Sequence, residues 1–325
     1  MHLLYFGSGA FGIPTLAHLA QRHTLLGIVT QPDRPAGRGG KLTPTPVAQW
    51  AAQHAPSVPI LKPEKVNTPE TVAAIRDLGG PARADAWVVI AFGQKLGKAL
   101  LDGVFAINLH ASLLPRWRGA APINAAILAG DQQTGNSVIT LADRMDAGLI
   151  LGQSRRPIDP LITAGELHDL LAADGPALVE QVLAAHDAAR RGGPPIPATV
   201  QDESLVTIAP KLTKASGRLD WAARDADAAR RLIHAMNPWP GVTVTLHGSP
   251  LKLLRARTVP GAAADLPPGS ILDPAAGTVA CANGTTLALL EVQPAGKRPM
   301  PWGDFARGRT IRRGDMLPPE DRSAC

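Results

Sequence analysis

The first thirty residues constrain the fold most strongly, because they contain the pattern of strand, glycine turn, helix and strand. An apolar run, His2–Phe6, leads into a glycine-rich turn. A helical pattern over Thr15–Gln21 then separates it from a second apolar run, Leu25–Val29. Such a βαβ unit requires its two strands to lie parallel in one sheet. We therefore predict an α/β fold with a parallel sheet in the N-terminal part of the chain.

The turn between the first strand and helix matches a dinucleotide-binding pattern at Gly7, Gly9 and Gly12. That pattern also needs an acidic residue at the end of the second strand to bind the ribose. Here the strand ends at Val29, and the nearest acid is Asp33 in a proline-rich loop. Two hypotheses stay open: an NAD-dependent dehydrogenase that uses these glycines, or a tight turn without a ligand.

The length of 325 residues favours two domains. The segment 190–197 contains two glycines and three prolines and predicts a linker, and short strand patterns alternate with turns between 242 and 292. Five short strands favour a small OB-like β-barrel. We predict an N-terminal domain over 1–188, a linker over 189–205, the barrel over 206–310, and a loosely ordered tail over 311–325.

The charge is unevenly distributed along the chain. Residues 206–310 hold 13 Lys and Arg against 7 Asp and Glu, while the rest of the chain is balanced. An excess of positive charge in one module is typical of proteins that bind a polyanion. A basic domain without such a partner and a non-enzymatic RNA-binding protein are the alternatives.

Cysteine content and hydropathy limit the class of protein. The chain has two cysteines, no leader-like N-terminus and no apolar run of the length needed to span a membrane. We expect a cytoplasmic monomer without disulfides, bound metal or membrane contact.

The loop Gln31–Pro46 is long and polar, with prolines near both ends and glycines around Arg38. Long loops of this kind are usually functional or disordered. Its basic residues Arg34, Arg38 and Lys41 predict a segment that becomes ordered on an anionic partner. A surface insertion without function is the alternative.

The stretch Ala106–Gly119 begins as a strand in which Asn108 and His110 lie on the same face. It continues into a stiff apolar loop, Ser112–Pro115. Polar groups at the end of a strand build the sites of open α/β sheets, although a solvated edge strand would show the same pattern. A second strand pattern, Asn136–Leu141, leads to two acids, Asp143 and Asp146, between which the spacing does not decide.

An amide, an imidazole and a carboxylate together favour acyl transfer to an amine. The amide and a protonated imidazole would stabilise an oxyanion. The carboxylate would keep the imidazole charged or accept a proton from the amine. No pattern for a covalent nucleophile or a metal site is present.

The motifs that carry this chemistry resemble those of the folate-dependent formyltransferase family. The resemblance covers nearly the whole chain, from Phe6 to about Arg309. The matching motifs are NLHASLLP at 108–115, DAG at 146–148, PDRPAGRG at 32–39, RWRGAAPI at 116–123, NPWPG at 237–241 and QPAGK at 293–297. The combination is similar to that of members that formylate methionyl initiator tRNA. Another folate-dependent formyltransferase or a formyl-folate hydrolase is the alternative within the family.

The resemblance implies a Rossmann-like catalytic domain, an OB-like tRNA-binding domain, and 10-formyltetrahydrofolate as co-substrate without NAD. It implies that Asn108, His110 and Asp146 are catalytic, which selects Asp146 over Asp143. It further assigns folate binding to Ser112, Leu113, Leu114 and Pro115, and contact with the acceptor end of the tRNA to the loop that carries Arg38.

Overall fold

A computed structural model describes residues 1–36, 40–261 and 263–320. The chain divides into two compact units. Unit 1 contains 1–119, 134–156 and 168–208, and unit 2 contains 120–133, 157–167 and the described residues from 209 onward.

The elements follow in chain order. The helices are α1 (Ile13–Arg22), α2 (Pro46–His54), α3 (Pro69–Gly79), α4 (Lys98–Leu101), α5 (Pro122–Ala129), α6 (Ala164–Arg190), α7 (Ala226–Ala235) and α8 (Trp302–Ala306). The strands are β1 (His2–Gly7), β2 (Thr24–Val29), β3 (Arg34–Ala36), β4 (Lys41–Thr43), β5 (Ile60–Leu61), β6 (Ala86–Ile90), β7 (Ala106–His110), β8 (Arg118–Gly119), β9 (Gln133–Thr140), β10 (Ile150–Pro157), β11 (Ile208–Ala209), β12 (Val242–Leu246), β13 (Ser249–Thr258), β14 (Ile271–Asp273), β15 (Thr278–Ala280), β16 (Thr286–Pro294) and β17 (Met300–Pro301).

Unit 1 is built on a seven-stranded sheet in the order β10-β9-β7-β6-β1-β2-β5. The pairs from β7 to β5 are parallel, as the βαβ pattern predicts. At the other edge, β9 runs antiparallel to β7, so the sheet is mixed rather than wholly parallel. An antiparallel edge is common in large α/β sheets. In this order β7, which carries Asn108 and His110, lies inside the sheet and is not the solvated edge strand of the alternative hypothesis.

The glycines of the first turn make room for a buried tyrosine. A Cβ atom at Gly7 or Gly12 would overlap the Tyr5 side chain. The Tyr5 hydroxyl, which is fully buried, donates a hydrogen bond to the carbonyl of Gly12 at 3.1 Å. Packing therefore accounts for two of the three glycines of the pattern without a dinucleotide.

Helix α6 continues through Pro176 as one helix, and Thr163 and Glu166 exchange hydrogen bonds at its N-terminal end. One segment of unit 1 differs from the expectation. The segment 31–46, which we expected to lack secondary structure, carries the antiparallel strands β3 and β4.

Unit 2 contains an antiparallel sheet in the order β12-β13-β16-β15-β14, with β17 paired to β16. Irregular register within β13 curls the sheet into a half-barrel. Helix α7 packs on β13. Its apolar residues Ala229, Leu232 and Ile233 are buried, and so is Met236 directly after it.

The two units differ from the expected domain limits. Residues 189–208, the expected linker and the first three residues of the expected barrel, belong to unit 1, and hydrogen bonds of Thr199, Gln201 and Thr207 reach residues of that unit. The segments 120–133 and 157–167, which we expected in the N-terminal domain, belong to unit 2. The expected loose tail is ordered over 311–320, where Leu317 is fully buried and accepts a hydrogen bond from the Trp221 indole.

No helix among the described residues is long and apolar enough to cross a membrane.

Candidate active site

His110 ends β7 and is 7% exposed. Its Nε2 lies 2.8 Å from the carbonyl oxygen of Trp117. Because a carbonyl only accepts hydrogen bonds, Nε2 carries a proton. Its Nδ1 then faces Asp146, with 3.7 Å between Nδ1 and Oδ2.

Asp146 lies in the turn after β9, in the left-handed region at φ 54°, which aspartate tolerates better than most residues. Its Oδ2 accepts a hydrogen bond from the backbone N–H of Gly119 at 2.9 Å. The turn packs closely on β9, because a Cβ at Gly148 would overlap the carbonyl of Thr140. Asp143 is exposed, so of the two candidate acids the structure places Asp146 beside His110.

Asn108 precedes His110 by two residues on β7 and pairs in register with Val89 of β6 and Ile139 of β9. Its side chain is half-buried. Among the residues that the structure describes, its carboxamide has no hydrogen-bond partner. It is therefore available to a substrate.

The segment Ser112–Pro115 is fixed by hydrogen bonds within unit 1. The Ser112 hydroxyl donates to the carbonyl of Arg116 at 2.6 Å, and the carbonyl of Leu114 accepts from Nε2 of Gln153 at 2.9 Å. Ser112 and Leu114 are buried, whereas Leu113 and Pro115 are half-buried. Of the four predicted folate-binding side chains, those of Leu113 and Pro115 therefore present surface to a ligand.

Two of the three predicted tRNA-binding residues, Arg34 and Lys41, lie on the antiparallel strands β3 and β4. Arg34 is paired with Glu64 at 2.5 Å, and both side chains are exposed. Lys41 is exposed, and its amino group has no partner in the described ranges. Arg38 lies outside the described residues.

Sequence reasoning missed the residues that hold this site from behind. Nε2 of Gln201 donates to the carbonyls of Asp146 and Gly148 at 2.7 and 2.8 Å, and Thr207 bonds to Trp117 and Arg118. These residues come from the expected linker and the start of the expected barrel, and no local pattern marks them.

Comparison with known families identifies the chain. The family described as "Formyl transferase" matches residues 2–183, and "Formyl transferase, C-terminal domain" matches residues 211–310. The chain belongs to the formyl transferase family. It is a formyl-transferring enzyme whose family uses a folate-derived donor, rather than the dehydrogenase or non-enzymatic protein considered above.

Relatives of this formyltransferase match along nearly the whole chain. A protein of Thiobacillus denitrificans named "Methionyl-tRNA formyltransferase" is 42% identical over 322 residues, which cover 98% of this chain and 99% of the relative. A protein of the same name from Methylococcus capsulatus is 41% identical, with 96% and 98% covered.

Solved structures share the fold. HypX from Aquifex aeolicus, in complex with tetrahydrofolic acid, aligns with a TM-score of 0.58 and 14% identity, over 97% of this chain and 50% of HypX. The sugar 3N-formyl transferase WlaRD aligns with a TM-score of 0.62 and 11% identity, over 92% of this chain and 99% of WlaRD.

No group of three or more His, Cys, Asp or Glu that could hold a metal ion occurs in the described part of the chain.

Proposed function

We propose that this formyltransferase transfers the formyl group of 10-formyltetrahydrofolate to the α-amino group of methionyl initiator tRNA. The observation that carries the proposal is the position of His110 between the Trp117 carbonyl and Asp146. Asn108, two residues earlier on the same strand, has a carboxamide without a hydrogen-bond partner among the described residues. The full-length relatives, which are named for formylation of methionyl-tRNA, give the acceptor.

Each polar atom of the site has a distinct task. Nε2 of His110 is occupied by the Trp117 carbonyl, so Nδ1–H is the donor left for the formyl oxygen. The Asn108 carboxamide is the second donor. Oδ2 of Asp146 is held by Gly119, which leaves Oδ1 to accept a proton from the amine.

The reaction then balances without a covalent enzyme intermediate. The amine nitrogen bonds to the formyl carbon, and the negative charge that develops on the formyl oxygen is stabilised by Asn108 and His110. The amine loses a proton to Asp146. The bond from the formyl carbon to the folate nitrogen breaks, and that nitrogen takes up a proton.

The folate contacts come from the segment Ser112–Pro115. Leu113 and Pro115 offer half-buried apolar surface for a flat ring system, while Ser112 and Leu114 fix the shape of the segment from inside. In this proposal Leu113 and Pro115 touch the folate, and Ser112 and Leu114 hold them in position.

The tRNA contacts are assigned to Arg34, Arg38 and Lys41 and to the surplus charge of 206–310. Lys41 is the strongest of the described candidates, because Arg34 is already paired with Glu64. We further propose that the enzyme acts in the cytoplasm and that it is a monomer. Light scattering after size-exclusion chromatography tests the monomeric state.

The test is formylation of charged initiator tRNA with 10-formyltetrahydrofolate, with elongator methionyl-tRNA as the control acceptor. Efficient formylation of the initiator and weak formylation of the elongator are expected. Equal use of both acceptors, or no reaction with either, would contradict the proposal. Asn108→Ala should lower turnover on the order of 10²–10³-fold, since it removes one oxyanion donor.

A further inference from the structure

We propose that Gln201 is a positioning residue for the His110–Asp146 pair, and that the guanidinium of Arg118 orients it. The inference rests on the proposed catalytic role of that pair. All the residues concerned belong to unit 1.

The carboxamide of Gln201 is fully used. It is 6% exposed, and its Nε2 donates to the carbonyls of Asp146 and Gly148, which flank the DAG turn. Its Oε1 accepts from Nε of Arg118 at 2.9 Å. Because an Arg side chain only donates, this bond determines which end of the carboxamide carries the protons. The protons therefore point at the turn that carries Asp146.

Arg118 is itself held in place. Its guanidinium is buried, and its terminal nitrogens reach Glu203, with 3.0 Å between Nη2 and Oε1. Hydrogen bonds from Arg118 and then from Arg144 lower the pKa of the Glu203 carboxyl from its ordinary value. Glu203 thus stays ionised and keeps the guanidinium facing Gln201.

The same short segment also supports the other side of the pair. Oγ1 of Thr207 accepts from the backbone N–H of Trp117 at 2.9 Å, and the Thr207 carbonyl accepts from the N–H of Arg118 at 2.9 Å. Trp117 binds His110 through its carbonyl, and Gly119 binds Asp146 through its N–H. Residues 201–207 therefore contact the chain next to both members of the pair.

This arrangement predicts a kinetic role for a residue that touches no substrate. Asp146 is in a left-handed backbone conformation, so the turn depends on outside contacts to keep its geometry. A displacement of about 1 Å at a reacting group costs on the order of 10²-fold in rate. Loss of the Gln201 carboxamide should therefore appear in the chemical step and not in substrate binding.

The first experiment compares Gln201→Met with Gln53→Met, a matched change at an exposed position on α2. Methionine keeps the length of the side chain and removes its hydrogen bonds. We expect the single-turnover rate constant of Gln201→Met to fall about 10- to 100-fold, with the KM for both substrates within about threefold of wild type. Gln53→Met should match wild type. A rate within about twofold of wild type, or a loss confined to KM, would overturn the proposal.

The second experiment separates positioning from general destabilisation. In an Asp146→Asn background, Gln201→Met should add no more than about a twofold loss, because the group that it positions has already lost its charge. In an Asn108→Ala background its full loss should persist. Equal losses in both backgrounds would show that Gln201 does not act through Asp146.

Two results keep the inference distinct from the proposed function. If Asp146→Asn retains wild-type turnover, the proposed catalytic site fails; if it is slow while Gln201→Met is fast, only the positioning role fails. If Gln201→Met does not fold, the substitution Glu203→Gln at an exposed position provides the test instead. It loosens Arg118 and should lower kcat about two- to fivefold with KM unchanged, and an unchanged kcat would contradict the role of Gln201.

Discussion

Two regions of unit 1 carry the proposed chemistry, and they are built differently. Around His110, Nε2 of the imidazole, Oδ2 of Asp146 and the Asp146 carbonyl all have hydrogen-bond partners within the unit. The β3–β4 hairpin is attached near its base by two ion pairs, Lys62 with Asp33 and Arg34 with Glu64. The first region is preorganised, whereas the second presents charge on an exposed segment.

The two regions should control different kinetic quantities, because their interactions differ in free energy. Breaking a buried hydrogen bond costs about 1–3 kcal/mol because its partner is left unpaired. Exposed ion pairs contribute about 0–1 kcal/mol and are screened by salt. Changes at the His110 site should therefore appear in turnover, and changes at the hairpin in the salt-dependent affinity for tRNA.

The largest effect is expected for Asp146→Asn, with Asp143→Asn as its control. Asparagine tolerates the left-handed backbone of residue 146 and can still accept from Gly119, so the change removes charge with little change of shape. Single-turnover formylation should slow about 10²-fold or more, while Asp143→Asn stays near wild type. Equal losses in both variants would remove the distinction between the two acids.

A smaller effect is expected for Gln153→Met, which frees the carbonyl of Leu114. The segment Ser112–Pro115 should then hold the donor less well, and the KM for 10-formyltetrahydrofolate should rise about three- to tenfold, since one or two hydrogen bonds are lost. Turnover at saturating donor should change little. A fall in kcat with unchanged KM would show that this segment does not serve the folate. Gln153→Met is therefore expected to change the KM for the donor, whereas Gln201→Met is expected to change the rate constant of the chemical step.

At the hairpin, Lys41→Ala should raise the KM for tRNA a few-fold without changing the KM for the donor. The loss of one phosphate contact should also reduce the salt dependence of tRNA binding by about one unit of slope. Arg34→Ala should have a weaker effect, because Arg34 is already paired with Glu64. If Arg34→Ala raised the KM for tRNA more than Lys41→Ala does, Arg34 rather than Lys41 would be the stronger tRNA contact.

The smallest effect is expected for Glu64→Gln, which releases Arg34. The free energy of unfolding should change by less than about 1 kcal/mol, since both side chains are exposed. The KM for tRNA should fall by up to about twofold at low salt and be unchanged at high salt. A rise in KM would indicate that the ion pair itself shapes the tRNA contact.

The sequence predicted those parts of the site that depend on short-range periodicity. Alternation along β7 placed Asn108 and His110 on one face, and the βαβ pattern predicted the parallel part of the sheet. The spacing could not choose Asp146 over Asp143, because the choice depends on a turn at φ 54° and on a bond from Gly119. The family resemblance supplied it.

The remaining features depend on contacts between residues distant in sequence. Gln201 lies 55 residues from Asp146 along the chain, and the sequence around it predicted only a linker. Gly7 and Gly12 matched a nucleotide motif because a buried Tyr5 requires the same absence of side chains.

The central claim is that His110 and Asp146 act as one unit in formyl transfer. A double-mutant cycle tests it most directly, with single-turnover formylation of initiator methionyl-tRNA measured for His110→Ala, Asp146→Asn and the double variant. The structure predicts that the double variant is within about threefold of the slower single variant, as for residues that work together. Losses that multiply in full would show that the two residues act independently and would contradict the claim.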